Sequence, residues 1–425
     1  MSGDATLLRA LGTRRLAISI FNTVVGAGIF VLPATVFGLA GGGAPFAYLA
    51  CTVAILFVAL SFASAGSRVT EAGGAYRYVS AGLGPWAGNV TGILQWLSDT
   101  LSNASVATAF AAAIGVYWPP VSAGAGRSLL LAVVIGALAA LNLRGIRRSA
   151  TFLEAVTVAK LAPLLLLVTL GLALLPGRVD VPSLPDIDTL GRTALVLLFA
   201  FAGIESALAL SGEVQTPERT IPRALLVALV GISGLYLLIH LVAVAALGDG
   251  LAAASAAPLA AAGNAVAGPW LQQVMLAGTA ISMFGYLTAL STATPRLLYS
   301  MGTQGLLPAA LGHVNPAHRA PSVAIVTQAI VVVAVASTGS FAVLAPMASV
   351  AILTVYVLVC LAAWRLQERQ PAAGRFTVPA WVPFAAVAVL LWMLANATMK
   401  ELAIELAVIA AASLLHVVRQ KGMSA

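Results

Sequence analysis

Hydrophobic residues in this chain come in long unbroken runs. Twelve can be traced, at roughly 15–37, 44–66, 84–117, 128–143, 149–175, 191–212, 223–247, 269–296, 321–337, 341–363, 379–396 and 402–418. A run of about 20 apolar residues crosses a bilayer as a helix. Strands of a membrane barrel would instead alternate over about ten residues, and these runs do not alternate. The pattern predicts an all-α polytopic membrane protein with 12 transmembrane helices.

Two runs are interrupted. The first carries Gly26 and Gly28 around Ala27, in the middle of a stretch from Leu16 to Phe37 without a charge. Glycine in a helix interior costs about 1 kcal/mol against alanine. Non-helical backbone at membrane depth is tolerated only inside protein or facing a cavity. A main-chain binding site is one reading, and a close helix–helix contact through small residues is the other. The sixth run has Gly203 followed by Glu205, within Phe199-Ala200-Phe201-Ala202-Gly203-Ile204-Glu205-Ser206. Breaks at corresponding positions of two halves point to a transporter built on inverted repeats. Five spans per repeat place the first repeat at 1–175 and the inverted second repeat at 176–370. Spans 11 and 12, in 371–425, are appended.

Composition agrees with the pattern: 60% of the 425 residues are hydrophobic and 8% are charged. The net charge of +8 invites a nucleic-acid reading, but the basic residues lie between the runs and report topology. With the N-terminus cytoplasmic, seventeen of the 22 Lys and Arg residues fall on the cytoplasmic side and four outside, with Lys160 in the membrane. That is the positive-inside pattern. It predicts an inner or plasma membrane location, with both termini cytoplasmic. The first run is too long for a secretory signal and no cleavage site with a soluble domain follows. The outer segment 248–268 is expected to form a short surface helix. Trp86, Trp96, Trp118, Trp270 and Tyr117 read as interfacial anchors. Cys51 and Cys360, inside apolar runs, read as small core residues, with no case for a disulfide, metal site or cofactor.

Charge inside a membrane needs a reason. Lys160 in span 5 is followed by Pro163, which removes the helical bond to the Ala159 carbonyl. A buried amine there is a proton carrier or a structural lysine. Asp99 and Asn103 in span 3 are one turn apart on one face. They either meet the polar end of a substrate or bond another helix. Glu205 binds substrate or, as the reading preferred here, holds the break open. In span 8, Ser291, Thr292 and Thr294 precede Pro295, which frees the Ser291 carbonyl. The group suits an ammonium or a small cation, or is ordinary packing glue.

Four stretches then resemble the amino acid–polyamine–organocation transporter family. They are Val25-Gly26-Ala27-Gly28-Ile29-Phe30 with Leu32-Pro33-Ala34, Glu71-Ala72-Gly73-Gly74-Ala75-Tyr76, Gly203-Ile204-Glu205-Ser206 continued by 213–224, and Pro295-Arg296 to Pro308. The resemblance implies a five-plus-five, LeuT-like fold with substrate at the breaks. It implies a substrate carboxylate on the N–H groups near Gly26, Ala27 and Gly28. The amine would lie on carbonyls near Thr23, Val24, Phe201, Ala202 and Ile204. Phe199 takes the place of an aromatic gate, and Asn103 that of a contact to the distal end of the substrate. Asp99, a turn from Asn103, is not a recognised family feature. Lys160 matches a lysine that stands where related transporters bind sodium, and with Ser291, Thr292 and Glu205 it makes up the expected proton-coupling set.

The expected function is therefore sodium-independent, proton-coupled uptake of amino acids by alternating access, with Asp99 tilting the choice towards cationic amino acids or amines. A neutral amino acid exchanger is the alternative. The partners are a small-molecule substrate, protons and the lipid bilayer, and not nucleic acid. A channel would show charge rings or a repeated filter motif. An enzyme would need a catalytic cluster, and His240, His313, His318 and His416 lie far apart in sequence.

Overall fold

In a computed structural model of the chain, the structure describes residues 12–69, 74–144, 150–175, 183–204, 217–254, 257–315, 320–370 and 376–423. The helices are α1 (Thr13–Val24), α2 (Gly28–Ala40), α3 (Ala44–Gly66), α4 (Ala75–Leu83), α5 (Pro85–Gly115), α6 (Gly124–Leu143), α7 (Ala150–Leu174) and α8 (Ile187–Phe201). They continue with α9 (Pro217–Leu247), α10 (Gly250–Ala253), α11 (Pro258–Ala267), α12 (Pro269–Thr303), α13 (Ser322–Thr338), α14 (Phe341–Arg369), α15 (Trp381–Ala395) and α16 (Met399–Met423). Six helical stretches among the described residues are long and apolar enough to cross a membrane, and three shorter helices are apolar.

The first and sixth runs are each interrupted. α1 stops at Val24 and α2 starts at Gly28, while α8 stops at Phe201. Both half-helices of the first run pack onto other elements: α1 lies along α9, and α2 crosses α8. α5 is the most engaged helix, packed by α12, α13, α14 and α4. α7 lies along α12, where Pro163 presses on Gly278 so closely that a Cβ there would come within 2.6 Å of the proline ring.

Several elements differ from expectation. The outer segment is not a surface helix: α11 buries Leu259, Ala260, Ala262 and Val266 and folds back along α12. α12 runs past Pro295 to Thr303, beyond the expected end at 296. Asn142 of α6 explains that continuity, because its Nδ2 donates to the Ser291 carbonyl at 3.0 Å and replaces the bond that proline removes. Trp96 is not an interfacial anchor. It lies well inside α5 and its Nε1 donates to Gln328 Oε1 of α13 at 2.8 Å. Cys51 is buried, and its thiol donates to the Ala194 carbonyl at 3.0 Å.

α8 begins on a capping aspartate. Asp186 accepts the Thr189 N–H at 2.8 Å and the Thr189 hydroxyl at 2.7 Å. The backbone bond from Thr189, followed by the hydroxyl bond, holds this carboxyl below its ordinary range. One turn on, Arg192 grips Glu401 of α16 through both guanidinium ends, at 2.7 and 2.9 Å. That pair ties the C-terminal hairpin to the N-terminal end of α8.

Candidate functional site

The two breaks face each other. At the first, Val25 leaves the helix with φ −72° and ψ 85° while its N–H still donates to the Phe21 carbonyl. Ala27 then caps α2, and Phe30 N–H returns to the Ala27 carbonyl at 3.1 Å. At the second, Ala202 is extended (φ −65°, ψ 154°) and Gly203 takes φ +110°. That last conformation is open to glycine and strained for other residues.

Close approach explains the glycines. A Cβ on Gly28 would lie 2.9 Å from Ala200 Cα and 3.0 Å from Ala200 Cβ. A Cβ on Gly26 would lie 3.2 Å from the ring of Tyr286, on α12. The Gly26–Gly28 stretch is thus a close helix contact and an unwound backbone turn together.

Tyr236 of α9 joins the two breaks. Its hydroxyl lies 3.1 Å from the Val24 carbonyl and 3.0 Å from the Ala200 carbonyl, in a fully buried position. One hydroxyl proton serves either acceptor. The Tyr236 ring stands edge-on to Phe201, with centroids 5.3 Å apart. Phe199 is buried and meets Phe341 edge-on at 5.5 Å. Ile204 is buried.

Electrostatically, this is a place where helix ends of opposite sign converge. Ahead of the Phe30 bond, the first N–H groups of α2 have no partner within their helix, and the last carbonyls of α1 and α8 have none within theirs. The α2 end carries about half a positive charge and the other two ends about half a negative charge each. Ala27 and Gly28 sit at the positive end; Val24, Phe201 and Ala202 sit at the negative ends. Thr23 lies in the last turn of α1. Main chain alone therefore supplies partial charge of both signs where these ends meet.

The remaining sequence-predicted residues lie elsewhere. Lys160 of α7 is 7% exposed. Asp99 is half-buried, and its Oδ1 accepts from Gln95 Nε2 one turn earlier at 2.9 Å. Asn103 is 1% exposed and lines a small cavity with Ser291 and Gln328. The carbonyl of Ser291 and the hydroxyl of Thr292 are both held by the Asn142 amide. Thr294 is buried. Glu205 lies outside the described residues.

Sequence reasoning missed four participants. Tyr236 and Tyr286 sit in apolar runs and read as core aromatics. Asn142 sits at a span end and gave no signal by itself. Glu405, 5% exposed in α16, was visible as a carboxylate inside the twelfth run.

Residues 11–411 match the amino acid permease family. An uncharacterised transporter of Mycobacterium tuberculosis is 31% identical over 336 residues, covering 78% of this chain and 74% of that protein. The branched-chain amino acid permease BcaP of Lactococcus lactis is 27% identical, covering 85% of this chain and 83% of that protein. BcaP of Bacillus subtilis is 24% identical, covering 88% and 84%.

Proposed function

Since this chain belongs to the amino acid permease family, we propose that it carries amino acids by cradling the zwitterionic head group between its two broken helices. It is a multi-pass membrane transporter and not an enzyme. The observation that carries the reading is the meeting of the α2 N-terminus with the α1 and α8 C-termini around Tyr236. The α-carboxylate takes the N–H groups of Ala27 and Gly28, and the α-ammonium takes carbonyls at the ends of α1 and α8.

The substrate side chain is neutral and apolar in this reading. Asp99, the reason for expecting a cationic substrate, already receives the Gln95 amide. The aromatic pair Phe199 and Phe341 presents a greasy wall beside the break. Two of the relatives are named as branched-chain amino acid permeases.

The transport cycle is alternating access on a five-plus-five inverted repeat, with repeats at 1–175 and 176–370 and both termini cytoplasmic. The first and sixth spans rock against spans 3, 4, 8 and 9. Coupling is sodium-independent and uses Lys160 as the proton carrier, because a buried ammonium in α7 beside α12 does the work of a bound cation.

A thermal-shift screen of the purified protein tests the substrate class, since bound ligand stabilises by mass action. Leucine, isoleucine and valine are expected to raise Tm while arginine, lysine and polyamines do not. A shift with the cationic set alone would return the assignment to Asp99 and overturn this one. In proteoliposomes, uptake should saturate and show counterflow; flux without either would mean a channel.

A further inference from the structure

Between α5, α6, α12 and α13 lies a cavity of about 10 Å³, the room that one water molecule needs. Its polar lining is Asn103, Ser291 and Gln328, and its apolar walls include Ile135, Ile325 and Val332. None of its lining residues belongs to either broken helix.

The polar groups on this cavity are unusual. Asn103 is 1% exposed, and its Oδ1 and Nδ2 both lack a hydrogen-bond partner. Ser291 Oγ is in the same condition. Gln328 is already engaged, accepting from Trp96 at 2.8 Å and donating to Thr100 Oγ1 at 3.2 Å. A buried polar group without a partner costs about 1–3 kcal/mol, and a membrane interior offers few substitutes. Three such atoms border one water-sized space.

We propose that this cavity is a binding site for a single water molecule, bridging Asn103 of α5 to Ser291 of α12. The water donates to Asn103 Oδ1 and accepts from Asn103 Nδ2 or the Ser291 hydroxyl, which gives it the two to four partners a buried water requires. A sodium ion does not fit the same lining. The lining has no carboxylate, and Gln328 Oε1 and the Ser291 carbonyl are already engaged. Asn103 is then a positioning residue that joins two helices through solvent, not a contact to the distal end of a substrate.

A double-mutant cycle in Tm tests it, using Asn103→Leu, Ser291→Ala and the pair. With a bridging water, each single change lowers Tm, and the pair lowers it by less than the two together, since the water is lost only once. In a dry cavity, each change removes an unpartnered polar atom, so Tm stays level or rises; that result overturns the proposal. Should Asn103→Leu not accumulate, Ser291→Ala alone decides by the same sign. A high-resolution structure in lipid nanodiscs gives the second readout, with density for one water between Asn103 and Ser291 expected. A Tm that rises with sodium but not choline, and loses that rise in Ser291→Ala, would identify a cation site and overturn the water.

Discussion

Gly28→Ala is the sharpest probe of the paired breaks. The added methyl would lie 2.9 Å from Ala200 Cα, whereas carbon atoms rest at about 3.5–4.0 Å. The two segments must therefore part by about 0.6 Å or more. What stands in the way is the backbone of Ala200 with its own short side chain, so no flexible group can yield. Overpacking of this kind costs about 1–3 kcal/mol. If the cost falls on the closed cradle, affinity drops roughly five- to 150-fold. Gly26→Ala is the matched control, because its methyl would meet only the edge of the Tyr286 ring at 3.2 Å, and a ring on a side chain can shift. The assay is equilibrium binding of leucine to purified protein for wild type and both variants. Gly28→Ala should lose far more affinity than Gly26→Ala. Equal losses, or the reverse order, would refute the reasoning.

Other expectations follow from the same geometry. Tyr236→Phe keeps the ring against Phe201 but leaves a buried carbonyl unpaired, so Tm should fall in line with about 1–3 kcal/mol; an unchanged Tm would mean the hydroxyl bridges nothing. Lys160→Ala should abolish uptake driven by a pH gradient in proteoliposomes, and undiminished uptake would remove Lys160 from the coupling. Arg192→Ala should destabilise by leaving the 9% exposed Glu401 without its cationic partner, and the exchange Arg192→Glu with Glu401→Arg should restore part of the loss; no recovery would dissociate the pair from the docking of α16. Asp186 is held below its ordinary range. Its contribution is therefore complete above the unfolded-chain value, about 3.9, and disappears as pH falls through the lower folded value. Asp186→Asn should flatten that acid limb of the Tm profile; an unaltered limb would contradict the cap.

What the sequence made legible was what breaks local rules. Glycines at Gly26, Gly28 and Gly203 contradict a membrane helix, and the structure unwinds at those places. Residues that satisfy local rules stayed hidden. Tyr236 looks like any aromatic in an apolar run, and only the fold brings its hydroxyl to carbonyls 212 and 36 positions away. Pro295 was read correctly as freeing the Ser291 carbonyl, yet its partner, Asn142, comes from a helix 149 residues away. Spacing on one helix suggested that Asp99 and Asn103 act together. Asp99 accepts from Gln95 within α5, and Asn103 lines a cavity with residues of α6, α12 and α13. A periodicity gives the face of a helix but not its neighbour. Arg192 and Glu401 show the same limit, being joined across 209 residues by packing.

The central claim is that the paired breaks read both charges of an amino acid head group. Competition against bound radiolabelled leucine tests it most directly, using leucine, its decarboxylated amine and its deaminated acid at equal concentrations. The account predicts that leucine competes and that neither the amine nor the acid displaces half of the label at a hundredfold excess over it, which makes each weaker by more than about 2.7 kcal/mol. Competition by the amine as strong as that of leucine would contradict it, because the α2 N-terminus would then have no carboxylate to hold.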